Sequence, residues 1–202
     1  MFKDSPSIAD RIREAIKPTP MKRRIQVASS RLRLQTSRLG KTINQMEARD
    51  RALYDRCVKA LQSRDTQAAT LFANECVEIR KLVKTSITSQ ICLEKALLRL
   101  ETIEEFGDMV HSMGAVKGIV GTVREELEGK LPQISTSLAD VEDSLASMTM
   151  EIGDAVDSES AYVPANDESA RILREADLTA EQKMKEKFPE IPQIITDPAR
   201  LR

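Results

Sequence analysis

Residues 21–62, MKRRIQVASS RLRLQTSRLG KTINQMEARD RALYDRCVKA LQ, decide the fold. Their apolar positions Ile25, Ala28, Leu32, Leu39, Ile43, Met46, Leu53, Cys57 and Leu61 follow one another at steps of 3, 4, 7, 4, 3, 7, 4 and 4. That spacing lays one narrow stripe, of coiled-coil width, along a single long helix. Thr19 can cap it, with Pro20 in the first turn, where a missing N–H is harmless. The stripe stops at Gln62-Ser63-Arg64-Asp65, and Asp65 is a cap for a second helix. The second stripe runs Phe72, Cys76, Ile79, Val83, Ser86, Gln90, Leu93, Leu97 and Leu100, widened by Ile87, Ile91 and Leu98. Two helices of about 41 and 47 residues, each roughly 60 to 70 Å long and joined by a turn of a few residues, must run antiparallel.

Composition agrees with an all-α chain built on that elongated hairpin. Of 202 residues, 41% are hydrophobic and 31% charged but only 3% aromatic, with no Trp, so little bulky material exists for a thick core. The 8 prolines leave everything from Met21 to Leu131 free of proline, so long helices are expected there. No apolar run approaches the roughly 20 residues needed to cross a bilayer, and no signal peptide opens the chain, so a soluble cytoplasmic protein is expected. The three cysteines, Cys57, Cys76 and Cys92, show no CxxC spacing, and His111 is the only histidine. Buried free thiols are the expectation, with no metal and no cofactor. Pairing about a turn near residue 63 sets Cys57 opposite residue 70 or so and leaves Cys76 about two turns away, out of disulfide range.

Beyond the hairpin, Gly107, Gly114, Gly118 and Gly121 fall close together. Each weakens a helix by about 1 kcal/mol relative to Ala, so they mark either a close-packed short helix or a hinge at which the second helix straightens into the third. After Leu131-Pro132, the positions Ile134, Leu138, Val141, Leu145, Met148 and Ile152 form a clean amphipathic helix with an acidic outer face. The organisation expected is a segment 1–19, a helical core 20–153 (hairpin about 20–112, further helices about 115–153), an acidic linker 154–166 and a helical tail region 167–202. Asn166 can cap the last helical stretch, and Thr179 with Gln182 has the spacing of a second start.

Chemistry-bearing motifs are scarce. Gly40-Lys41-Thr42 imitates the end of a phosphate-binding loop, but position 35 is Gln and the segment is helical, so the match is a decoy. One histidine supplies no catalytic triad or dyad, and neither an enzyme nor a small-molecule substrate is expected. Charge is more informative. Residues 1 to 41 carry 11 Lys or Arg against 3 Asp or Glu, whereas nine acids and no base lie between Lys130 and Arg171. Lys22, Arg23, Arg24, Arg31, Arg33, Arg38 and Lys41 precede the first acid of the helix, Glu47. At 100° per residue from Lys22 they occupy about 0° to 200°, while the apolar stripe lies near 240° to 300°. A cationic face of this kind suits a polyanion. Val27 and Leu34 lie within it, fitting shallow insertion among anionic headgroups, at about 1 kcal/mol per cation close to the surface. Nucleic acid is the alternative, although the chain offers no aromatic stacking platform. Phe2, Ile8, Ile12 and Ile16 could line a short interfacial helix or belong to a plain tail. The acidic region 131–170 is expected to fold back over the basic hairpin.

With these elements in order, the sequence resembles the ESCRT-III family, especially archaeal cell-division proteins of the Cdv type. The resemblance covers about residues 20 to 153 and rests on the basic first helix, on Ala60-Leu61-Gln62-Ser63-Arg64-Asp65 and Ala68 to Leu82, and on Leu131-Pro132-Gln133-Ile134 with its acidic helix. Near the end, Lys187-Phe188-Pro189-Glu190-Ile191-Pro192 is similar to the proline-bearing motif by which ESCRT-III tails bind the MIT domain of an AAA ATPase. The prolines pre-set an extended strand, and Phe188 and Ile191 supply apolar anchors. Phe188 stands where leucine is more usual, and with ten residues after Pro192 no winged-helix extension is expected. The resemblance implies a subunit that polymerises with itself and related ESCRT-III subunits on anionic membrane lipids, peripheral on the inner face at the division site, for membrane scission, with the MIT domain as tail partner.

Overall fold

The computed structural model describes residues 21–106, 109–155 and 165–192. Gly107 and the expectations for residues 1–20 and for 156–164 of the linker lie outside the described residues. Among those described, every regular element is a helix: α1 (Met21–Gln62), α2 (Thr66–Phe106), α3 (Met109–Leu127), α4 (Pro132–Ala155) and α5 (Ala165–Lys187). The all-α expectation holds. The second helix is described as far as Phe106.

The hairpin turn is built locally. Asp65 N–H donates to the Ala60 carbonyl at 2.9 Å and Arg64 N–H to that of Leu61 at 3.0 Å, closing the C-terminus of α1. Arg64 sits at φ 60°, the left-handed conformation that ends a helix. Asp65 then caps α2 as expected, its Oδ1 accepting the Ala68 N–H at 3.0 Å. Opposite the turn, Cys57 Sγ meets the Ala69 carbonyl at 3.5 Å, as the pairing arithmetic requires. All three thiols are free and buried. Burial pushes Cys76 and Cys92 up to about 11, so they behave as apolar filling.

The core divides along the hairpin. Towards the open end, Leu32 and Leu39 of α1, Leu93 and Leu100 of α2, Ile119 of α3 and Leu138 and Leu145 of α4 belong to one large buried cluster, joined by Ile172 and Ala176 of α5. Midway, Ile43, Val83, Ile87 and Ala180 form a smaller cluster capped by Met184 and Phe188. At the tip, Cys57, Ala60, Ala69 and Ala73 let the two helices approach closely, and Ile191 packs there. The hairpin is thus a bundle at one end and a bare helix pair, covered only by the chain's tail, at the other.

The spacing at Thr179 and Gln182 does not start a helix. Helix α5 runs through it, and Thr179 Oγ1 donates to the Glu175 carbonyl at 2.8 Å. The buried positions Ile172, Ala176 and Ala180 continue across that point at i, i+4 spacing, and their burial outweighs the local capping preference.

Candidate functional site

The seven expected cations of α1 divide by angle. Lys22 at 0°, Arg33 near 20° and Arg24 near 200° lie at the margins of the basic face, and each has a partner. Arg24 pairs with Glu151 of α4 and donates to Ser147 Oγ at 3.0 Å, while Arg33 pairs with Glu101 of α2. Arg23, Arg31, Arg38 and Lys41 lie in the central arc, between about 100° and 180°, and are exposed. None of these four meets a carboxylate among the described residues, and Arg38 makes only a long 3.4 Å bond to Gln35 Oε1. Val27 and Leu34 share the arc and stand 44% and 50% exposed.

The acidic region folds back on the hairpin, with α4 packed against α1, but among the described residues its carboxylates leave the central arc uncovered. Glu151 of α4 engages Arg24 of α1. Glu142 turns inward instead, accepting Arg124 Nε at 2.7 Å within the α3–α4 pair. The remaining carboxylates that close the structure belong to α5 and act on α2: Asp177 and Glu181 on Lys84 at 3.1 and 3.6 Å, Glu175 on Lys95 at 2.6 Å, and Glu168 on Arg99. The bond to Asp177 raises the Lys84 ammonium above its ordinary value, and the bond from Lys95 lowers the Glu175 carboxyl below its own. Beneath α5 a cavity of about 380 Å³ remains, lined by Thr85, Thr88, Cys92, Thr122 and Leu173 among others. Thr88 Oγ1 is buried there without a hydrogen-bond partner. Charge pairs and the buried Ile172, Ala176 and Ala180 hold α5 in place over an incompletely filled seam.

The glycines sit differently from one another. Gly114, Gly118 and Gly121 are inside the continuous helix α3, while Gly107 lies outside the described residues. A Cβ on Gly118 would meet Ser169 Cβ of α5 at 3.5 Å, and one on Gly121 would come within 2.9 Å of Glu142 Oε1. In this conformation both serve close packing.

The tail motif lies on the hairpin. Phe188 is half-buried over the midway cluster, Ile191 packs at the tip, and Lys187 Nζ reaches Glu47 Oε1 at 2.6 Å. Arg80 of α2 joins the two halves of this seat. Its guanidinium stacks 5.1 Å from the Phe188 ring centre and donates from Nη1 to the Pro189 carbonyl at 2.6 Å. Its other nitrogens hold Asp50 of α1, whose side chain is 1% exposed. Glu190 and Pro189 face outward.

Neither Asp50 nor Arg80 is among the residues that sequence reasoning marked, yet a signal exists. The apolar stripe of α1 contains two steps of 7, and the positions they skip are Gln35 and Asp50, both buried in the seam. A carboxylate at a seam position demands a cationic partner on the facing helix.

Among the described residues no helix is long and apolar enough to span a membrane, and no group of three His, Cys, Asp or Glu residues could hold a metal ion. Comparison with known proteins places these features in context. A family model described as Snf7 matches residues 27–198, which include the tail motif and the cations from Arg31 onward. Cell division protein B1 of Sulfolobus acidocaldarius is 38% identical over 173 residues, covering 86% of this chain and 81% of that protein. Cell division protein B of the same organism is 31% identical over 166 residues, covering 81% of this chain and 63% of that protein, so the chain spans less than two thirds of this longer relative. No solved structure matches the chain.

Proposed function

This chain belongs to the Snf7 (ESCRT-III) family, and from that premise we infer that it is a non-enzymatic membrane-remodelling subunit of archaeal cell division. It acts on the cytoplasmic side of the division site, polymerises with copies of itself and related subunits, and adheres to anionic lipid through α1. Its tail recruits the MIT domain of an AAA ATPase. The observation that carries the reading is the exposed arc of Arg23, Arg31, Arg38 and Lys41 with Val27 and Leu34 among them. Four cations near one plane contribute about 4 kcal/mol towards an anionic surface, and the two apolar side chains add burial among the headgroups. Polymerisation turns a modest single-chain affinity into firm attachment. For assembly, α2 and α3 join into one longer helix by straightening at the glycine-rich joint of Gly107, Gly114, Gly118 and Gly121.

Flotation of the full chain with anionic and with neutral vesicles, beside duplex DNA in the same salt series, tests the reading. Reversal of Arg23, Arg31, Arg38 and Lys41 to Glu should abolish flotation with anionic vesicles and leave helical content unchanged. Undiminished flotation of that variant removes the membrane face from α1. Tight duplex binding without flotation supports the alternative of a nucleic-acid-binding coiled coil.

A further inference from the structure

The four cations of the central arc do not share one setting. Arg23 and Arg31 are exposed on the helix surface, whereas Arg38 and Lys41 line an open cleft of about 470 Å³ between α1 and the start of α4. Thr42 joins them from α1, and the opposite wall is Leu131, Pro132, Gln133 and Ile134. Among the described residues no carboxylate lines the cleft. Arg38 and Lys41 stand three positions apart on one helix face, where two like charges repel each other unless an anion lies between them. Thr42 donates its hydroxyl proton to the Arg38 carbonyl at 3.0 Å, so the donors left to the cleft are the Arg38 guanidinium, the Lys41 ammonium and the Gln133 amide. This set fits a phosphate. A guanidinium gives two parallel N–H bonds to two phosphate oxygens, and an ammonium adds a compact charge at a third. A phosphomonoester carries about 1.5 to 2 negative charges at neutral pH and balances both cations, whereas a phosphodiester carries one and leaves a cation unmatched. The phosphate fills only part of the cleft, and the apolar wall of Leu131, Pro132 and the buried Ile134 suits an organic stem on the ester oxygen. No aromatic side chain lines the cleft, so a nucleobase finds nothing to stack on.

We propose that this cleft is a binding site for a phosphomonoester, with Arg38 and Lys41 holding the phosphate and the wall at the start of α4 receiving its stem. Two sources supply that chemistry: a lipid whose headgroup ends in a phosphate, or a soluble phosphate ester. Taken from a membrane, the ligand deepens the assignment of α1 as the lipid face, and that form of the proposal rests on it. Arg23 and Arg31 then respond to surface charge alone, while Arg38 and Lys41 select the headgroup.

Two arms test this on the full chain. In the first, the chain is floated with phosphatidylcholine vesicles carrying either phosphatidic acid, a monoester, or phosphatidylglycerol, a diester, adjusted to equal electrophoretic mobility. Wild type should partition to phosphatidic acid about fivefold more strongly, the worth of one further charge matched in the cleft. Arg38→Gln with Lys41→Gln should lose that preference. Arg23→Gln with Arg31→Gln removes the same charge outside the cleft and should weaken binding to both vesicles while keeping the ratio of about five. All four side chains are exposed, so both variants should keep their helical content. In the second arm, glycerol 3-phosphate is titrated without lipid, and the side-chain amide resonances of Gln133 are followed. Saturable shifts that vanish in Arg38→Gln with Lys41→Gln identify the soluble source, and a phosphatidic acid preference without such shifts identifies the lipid. Equal partitioning of wild type to the two vesicles, with no saturable shift, overturns the proposal and leaves α1 as the lipid face. A phosphatidic acid preference that survives the loss of Arg38 and Lys41 overturns it as well. If neither vesicle binds but glycerol 3-phosphate does, the lipid face fails and the site stands for a soluble ester; if nothing binds, both fail.

Discussion

Arg80 grips Asp50 through two hydrogen bonds, Nε to Oδ1 at 2.8 Å and Nη2 to Oδ2 at 3.0 Å, across the seam of the hairpin. The carboxylate is 1% exposed and the guanidinium 13%. Arg80→Ala leaves a buried charge without its partner and should cost about 3 to 5 kcal/mol in urea unfolding. Replacing both residues together, Asp50→Leu with Arg80→Met, should recover most of that loss, because well-packed apolar side chains match a buried ion pair in stability. A double variant no more stable than the single one would show that the pair contributes more than mutual neutralisation.

Arg80 also ties this seam to the tail. A peptide of residues 179–202 should bind an MIT domain more tightly than the full chain does, since in the full chain only the fraction with a released tail is competent. Arg80→Ala should bring the full chain towards the peptide's affinity and leave the peptide itself unaffected. Within the peptide, Phe188→Ala and Ile191→Asp should each weaken binding about thirtyfold, the loss of an anchor worth about 2 kcal/mol. Calorimetry checks all three, and equal affinities for peptide and full chain would mean that the seat on the hairpin does not restrain the motif.

Arg64 ends α1 with φ 60°, a conformation that costs a residue with a Cβ and suits glycine. Its side chain is exposed. Arg64→Gly should therefore stabilise the folded chain by about 0.5 to 1 kcal/mol, read as a raised urea midpoint at unchanged slope. Destabilisation would show that the Arg64 side chain contributes to the turn.

Docking of α5 should respond to pH only at the extremes. Glu175 has a carboxyl lowered from its ordinary 4.5, chiefly by the Lys95 hydrogen bond. Its contribution is complete above 4.5 and is lost as pH falls through the depressed value of the folded chain. Lys84 is raised from 10.5 by its bond to Asp177, so its contribution is complete below 10.5 and fades as pH rises through the higher folded value. The methyl resonance of Ile172, buried under α5, should hold its packed position from pH 7 down to about 5 and move only below the ordinary carboxylate range. A transition near neutral pH would point to a different group.

Helical periodicity is a local property, and the sequence settled what depends on it. The stripe of α1, the turn at Gln62-Ser63-Arg64-Asp65, the Asp65 cap and the apolar face of α4 all follow from spacing along one chain segment, with no knowledge of what lies opposite. The grouping of seven cations away from the seam follows in the same way. Tertiary structure alone decided which of those cations stay available, because that depends on what neighbouring groups bring: Glu101 and Glu151 take the marginal Arg33 and Arg24, the marginal Lys22 has a partner as well, and the central four are left. It likewise decided that the acids of α5 meet α2, that Gly118 and Gly121 act as packing notches, and that the tail seats under Arg80. These are contacts between residues up to 127 positions apart in sequence, and an ion pair or a close approach at that range is set by where packing puts each backbone, which no single segment's pattern encodes.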